Sequence, residues 1–177
     1  MKALIVIDAQ NDFCDHNGIL TNPEAEAAVP KIEMLVNNYH KKGYSIYYTQ
    51  DTHTQEYLKT QEGKNLPVPH CLYGSWGWRV KNGIDIPAGS ANYPVYHLYK
   101  KSFGYDDWED EHLDQYSEIT VCGFVSSICV ISNILIIKAL YPELKIKFAA
   151  YASAGLTPEN HAAAIEVMRS CQIEVIE

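Results

Sequence analysis

The sequence predicts a three-layer α/β fold in which a mostly parallel, six-stranded sheet lies between helices. Three observations carry this. Short apolar runs alternate with segments of helical spacing along the 177 residues. No linker, repeat or low-complexity stretch divides them, so residues 1–177 read as one domain. The resulting order βαβ…βαβαβ makes neighbouring strands parallel and leaves helices on both faces.

Lys2–Ile7 is the first strand, an apolar run starting just after Met1. Ala25, Ala28, Val29, Ile32, Leu35 and Val36 then recur at helical spacing, with Gly43 where a C-terminal cap belongs. Pro30 either sits in the first turn of that helix or kinks it. Tyr44–Thr49 and Tyr93–Tyr99 read as the second and third strands. Asp107–Tyr116 reads as a short helix whose acidic residues suit a helix N-terminus, and Glu118–Gly123 as the fourth strand. Ser127–Leu140 is a buried helix, and Ile146–Ala150 is the fifth strand. Thr157 and Pro158 form an N-cap and N1 pair opening a helix to Ser170, and Glu174–Ile176 is the sixth strand.

Composition excludes several function classes. The formal net charge is −8 and the fourteen Lys and Arg are scattered, which argues against a nucleic-acid partner. The longest apolar stretch, Ile128–Leu140, is broken by Ser132, Asn133 and Lys138 and is too short to span a bilayer. With no signal-peptide pattern and five cysteines lacking CxxC spacing, the expectation is a cytoplasmic protein without a membrane partner. Thirteen tyrosines, with Tyr47, Tyr48, Tyr96 and Tyr99 alternating along strands, point to subunit contact in a homo-oligomer.

The chemistry-bearing residues gather at strand ends. Ile119–Val130 is an apolar strand that turns through small residues into an apolar segment led by Cys129, a placement that favours thiolate. Asp8 follows the first strand and Lys100 the third, so a base, a cation and a thiol leave three strands toward one crevice. Between Asp51 and Gly89 runs a long polar loop bearing Tyr73, Trp76 and Trp78, longer than ordinary connections and therefore read as functional. Its Asp51, His53, Glu62 and His70 offer two imidazoles and two carboxylates, a set suited to a divalent transition metal such as zinc or iron. Ordinary surface His and Asp are the competing reading. Cys122 and Cys171 read as buried hydrophobes, Cys71 as loop packing and Cys14 as exposed and oxidisable. His16, His40, His97, His112 and His161 have no partner visible in the sequence.

Asp8-Ala-Gln-Asn-Asp12-Phe13, Asp51-Thr-His53, Pro69-His70-Cys71, Lys100-Lys-Ser-Phe-Gly104 and Gly123-Phe-Val-Ser-Ser-Ile-Cys129 occur in an order that resembles the cysteine-hydrolase (isochorismatase-like) superfamily, with bacterial nicotinamidases as the nearest branch. The resemblance runs from Asp8 to the helix start at Thr157–His161. It implies a triad of Asp8, Lys100 and Cys129, an oxyanion hole from the backbone N–H groups of Val125 and Cys129, and a cis peptide at Phe124–Val125. It also implies a metal on Asp51, His53 and His70 with Glu62 as fourth ligand, zinc first and iron or manganese as alternatives. Phe13 and one of Trp76 and Trp78 would wall the ring of a small carboxamide substrate. The implied activity is hydrolysis of nicotinamide or a similar amide to the acid and ammonia through a thioester, serving NAD salvage.

Two features depart from the family pattern. Ser126-Ser127 stands where relatives carry Thr-Asp, and Lys101 competes with Lys100 for the catalytic place. A superfamily hydrolase of carbamoyl or ureido compounds and a non-catalytic small-molecule binder are the alternatives. An isochorismatase proper is disfavoured, because those enzymes lack the cysteine.

Overall fold

β1 (Lys2–Ile7) is buried on both faces at the middle of the sheet, which explains why it reads as an unbroken apolar run. In the computed structural model, which describes residues 1–177, the other strands are β2 (Ser45–Asp51), β3 (Val95–Lys100), β4 (Glu118–Phe124), β5 (Ile146–Ala154) and β6 (Glu174–Ile176). Their spatial order is β3-β2-β1-β4-β5-β6, and every neighbouring pair is parallel. Chain direction across the sheet reverses at the β1/β4 boundary, where crevices form at carboxyl ends of strands.

Both faces are covered. Leu4 and Val6 of β1 face one core of 23 buried residues, shared with α2 (Pro23–Lys41). Ala3, Ile5 and Ile7 face a second core of 22, shared with α4 (Ile131–Leu140) and α5 (Pro158–Ser170). The near-equal cores establish three layers, each fully buried Ile or Leu contributing about 1.5–3 kcal/mol. Asn22 caps α2 by accepting from Ala25 N at 2.8 Å, and Thr157 caps α5 by accepting from Asn160 N at 3.2 Å. At the other end of α2, Gly43 adopts φ +65° and Tyr44 N donates to Tyr39 O at 3.1 Å, the left-handed cap its position suggested. Two short helices, α1 (Asn11–Cys14) and α3 (Gln61–Asn65), lie in the connections that leave the carboxyl ends of β1 and β2.

Several expectations need correction. Pro30 lies in the interior of α2, which continues through it to Lys41. Asp107–Tyr116 is two 3₁₀ turns, Trp108–Glu111 and Leu113–Gln115, separated by His112 at φ +47°. Trp108 and Leu113 are fully buried, so tertiary anchoring overrides the acidic run's helical tendency. The segment expected as one helix from Ser127 begins as a π-type turn over Ser126–Val130, in which Val130 N donates to Val125 O at 3.1 Å. β5 runs on to Ala154 past a register shift opposite Val121–Gly123. Cys14 is buried and donates to Gln10 O, so it is not exposed. Tyr47 and Tyr48 are buried under the chain's own elements, Tyr47 meeting Tyr116 and Tyr48 donating to Ile84 O, and neither is available for subunit contact. No helix is long and apolar enough to cross a membrane.

Candidate active site

Asp8 sits just past β1 at φ +48°, a left-handed conformation that is unusual for a non-glycine residue and that collects at functional sites. Thr49 at the end of β2 holds it: Thr49 Oγ1 donates to Asp8 Oδ1 at 2.7 Å, and Asp8 N lies 3.2 Å from both Thr49 O and Oγ1. Gly123 lets β4 come alongside. Its φ is +120°, and a Cβ there would fall 2.0 Å from Ile7 O.

Lys100 ends β3 directly beside Asp51 of β2 and is fully buried. Its Nζ lies 2.7 Å from Asp8 Oδ2, 2.9 Å from Ser102 O, 3.4 Å from Asp51 Oδ1 and 3.7 Å from Cys129 Sγ. Lys101 is exposed and instead lines a cavity of about 230 Å³ with His53, Glu62 and Phe103. Of the two lysines, Lys100 is therefore the one that meets Asp8 and Cys129. Burial alone would lower the Lys100 ammonium, but Asp8, Cys129 and Asp51 outweigh it and keep it charged. Burial raises Asp8 above the ordinary carboxylate range, with Lys100 opposing.

Cys129 lies in the π turn with its sulfur buried, and burial pushes the thiol well above its usual range against the pull of Lys100. Burial and the Asp8 and Asp51 carboxylates thus oppose the thiolate that the sequence position favours, and Lys100 supports it. Val125 and Cys129 share this turn, and the Phe124–Val125 peptide is cis. Asn133 fixes the turn from α4, donating Nδ2 to Cys129 O at 2.7 Å and to Phe103 O at 3.1 Å. Its Oδ1 accepts from Tyr105 N and Trp108 Nε1.

Asp51, His53, Glu62 and His70 each offer one ligand atom, all within 4.8 Å of one another. Asp51 Oδ2 is 2.9 Å from His53 Nε2 and 3.3 Å from His70 Nε2, and Glu62 Oε1 is 3.6 and 3.8 Å from the same nitrogens. Ligands on a tetrahedral zinc are about 3.3 Å apart, so the set fits such an ion with little rearrangement. His70 Nδ1 is bonded to Val68 O at 2.8 Å, which leaves Nε2 with a lone pair for metal. Tyr57 packs against both imidazoles and Phe13 edge-on to His70 at 5.5 Å. Burial would raise Asp51, but Lys100 and the imidazoles hold it far below the usual range. The same burial, with Asp51 beside it, raises Glu62.

Other residues support the cluster without standing out in the sequence. Gln10 donates to Asp51 O at 2.9 Å and to Trp78 O at 2.8 Å and accepts from Asp51 N at 2.8 Å, tying the long loop to β2. Asp12 accepts from Cys71 N at 2.7 Å beside His70. The Trp78 ring packs between Tyr73 and Tyr99 and donates Nε1 to Thr52, while Trp76 is half-exposed. Of the expected apolar walls, Phe13 is placed against the cluster. His97 and His161, expected without partners, contact Gln50 and Ser126 respectively.

Comparison with known proteins concerns the whole chain and its fold. The chain is 26% identical to the nicotinamidase of Schizosaccharomyces pombe, covering 98% of this chain and 92% of that protein. It is likewise 26% identical to the nicotinamidase/pyrazinamidase of Mycobacterium tuberculosis, covering 99% and 98%. Its fold superposes on the nicotinamidase PncA of Bacillus subtilis with a TM-score of 0.83 at 23% identity, covering 99% of each chain. A pyrazinamidase of Pyrococcus horikoshii solved in complex with zinc gives 0.80 at 22% identity, covering 99% and 98%. The Isochorismatase domain family matches residues 2–177, and the chain belongs to that family.

Proposed function

We propose that the protein is an amidase that hydrolyses nicotinamide, or a small carboxamide of the same shape, with Cys129 as nucleophile. One observation carries this reading: Lys100 Nζ stands within 3.7 Å of Cys129 Sγ while also contacting Asp8 and Asp51, so the thiol, its base and the metal-ligating cluster form one continuous site. Nicotinamidase relatives at low identity support the substrate class.

The chemistry follows from the charges. Asp8, raised by burial, takes the thiol proton, and Lys100 stabilises the thiolate that the desolvated pocket would otherwise disfavour. Sulfur attacks the amide carbon, and the carbonyl electron pair moves onto oxygen, received by the N–H groups of Val125 and Cys129. As the tetrahedral species collapses, the C–N bond breaks, Asp8 returns its proton to the nitrogen and ammonia leaves. Water, deprotonated by Asp8, then attacks the thioester; the C–S bond breaks, the acid departs and Cys129 recovers its proton. Asp51, His53, Glu62 and His70 would hold a divalent metal, zinc first and iron or manganese as alternatives, supplying a Lewis-acidic site for a ring nitrogen. Phe13 orients a planar ring beside it.

The test is ammonia release from nicotinamide by the purified protein, with metal content determined on the same sample. Cys129→Ala is expected to lower turnover by at least about a thousandfold while keeping roughly one metal per chain. Turnover retained in Cys129→Ala would overturn the nucleophile. Metal without ammonia from nicotinamide would move the substrate to a carbamoyl or ureido compound, or the role to binding.

A further inference from the structure

His161 approaches the candidate oxyanion turn from a side that this chemistry does not use. It lies in the first turn of α5, its N–H bonded to Thr157 O at 3.0 Å. The turn sits so close to the end of β5 that a Cβ on Gly155 would fall 2.8 Å from His161 N. Its Nδ1 is 2.8 Å from Ser126 Oγ, and Ser126 is completely buried immediately after Val125. The backbone of the turn has its own bonds, Val125 O accepting from Ile128 N and Val130 N, and Ser126 O from Ile131 N. The Ser126–His161 bond adds a tie between this turn and a different helix.

We propose that His161 is a positioning residue for acyl transfer at Cys129: by bonding Ser126 Oγ it fixes the turn that presents the Val125 and Cys129 N–H groups. The inference rests on the oxyanion-hole reading given above. An oxyanion hole contributes because its donors need not reorganise as charge develops, so a side-chain anchor on a wide helical turn acts on the transition state more than on the bound amide. A free hydroxyl would sample three staggered wells; one facing a fixed imidazole keeps one. Burial favours a neutral His161, a form in which Nδ1 can accept from Ser126 Oγ with the proton on Nε2. The imidazole also lines an open cleft of about 440 Å³ with Lys31 and Tyr151, so truncation there widens a solvent-accessible cleft instead of emptying a dry core.

The experiment compares His161→Ala, His161→Asn, Ser126→Ala and the Ser126→Ala/His161→Ala double variant, with thermal melts confirming that each is folded. His161→Ala is expected to lower kcat for nicotinamide about ten- to a hundredfold with KM within about twofold. His161→Asn, whose Oδ1 replaces Nδ1 as acceptor, should recover kcat to within about threefold of the native protein. Ser126→Ala, which removes a single oxygen, should match His161→Ala, and the double variant should be no worse than either single one. A kcat unchanged in His161→Ala, a loss confined to KM, no recovery in His161→Asn, or additive losses would overturn the proposal. Pyridine-3-carbaldehyde, which adds to a thiol to give a tetrahedral adduct, separates the two readings. If the native protein releases no ammonia from nicotinamide, the substrate reading fails, and affinity for the aldehyde then decides the positioning role by the same pattern across the variants.

Discussion

Asp51 divides one carboxylate among three neighbours, with Oδ1 toward Lys100 at 3.4 Å and Oδ2 toward His53 and His70. Any change there is felt at both centres. Asp51→Asn puts an N–H₂ group against either a cation or a ligand nitrogen, and we expect metal affinity to fall roughly a hundredfold and ammonia release with it. Metal analysis after dialysis and the ammonia assay check this; full metal with full activity would show that the carboxylate charge serves neither. At this scale, Asp8, Lys100 and Cys129 were legible because each ends or follows a strand, and strand ends in a parallel sheet converge. Gln10, Thr49 and Asn133 were not, because an amide or hydroxyl becomes informative only when the groups it reaches are known, and Gln10 meets Asp51 across 41 positions of sequence.

β4 shows how an element's two ends are held by different means. Its carboxyl end relies on the backbone of Gly123 lying against Ile7, whereas at its start the Glu118 carboxylate is 2.9 Å from both Lys2 and Lys147. Burial would raise Glu118, but these lysines outweigh it and pull the carboxyl to about 2, below the ordinary 4.5. A depressed carboxyl contributes stability that is complete above about pH 4.5 and is lost as pH falls through about 2. Glu118→Gln should therefore lower the melting temperature at neutral pH by about 2–4 °C, as a roughly 1 kcal/mol loss would, and flatten the acid limb between those two pH values. Melting curves at stepped pH read both effects, and parallel native and variant limbs would assign the acid sensitivity elsewhere. Elements with regular apolar spacing, such as α2 and α5, were legible to within a few residues. The Asp107–Tyr116 segment was not, because Trp108 and Leu113 are fixed by burial in a core that local pattern does not display. The π turn at Cys129 was hidden for a similar reason, since its extra residue leaves the apolar pattern intact.

At the scale of the molecule, the alternation of strands and helices made the three layers legible, while the strand order came only with the structure. β1 is central because both β2 and β4 pair with it, so removing β4–β6 should leave one side of β1 bare. A chain ending at Tyr116 is expected to aggregate or remain unfolded by gel filtration and circular dichroism; a folded monomer of that length would show that β1–β3 and α2 suffice. The same pairing joins Lys2 to Glu118 across 116 positions. At about 5–20 residues per second, a ribosome takes roughly 6–23 s to deliver the second partner after the first. Through that interval the most apolar strand of the protein waits half-paired, a hydrophobic edge for chaperones to guard. Cys129 arrives later still, so the proposed nucleophile is made only after β4, the strand that pairs with the other side of the strand leading to Asp8.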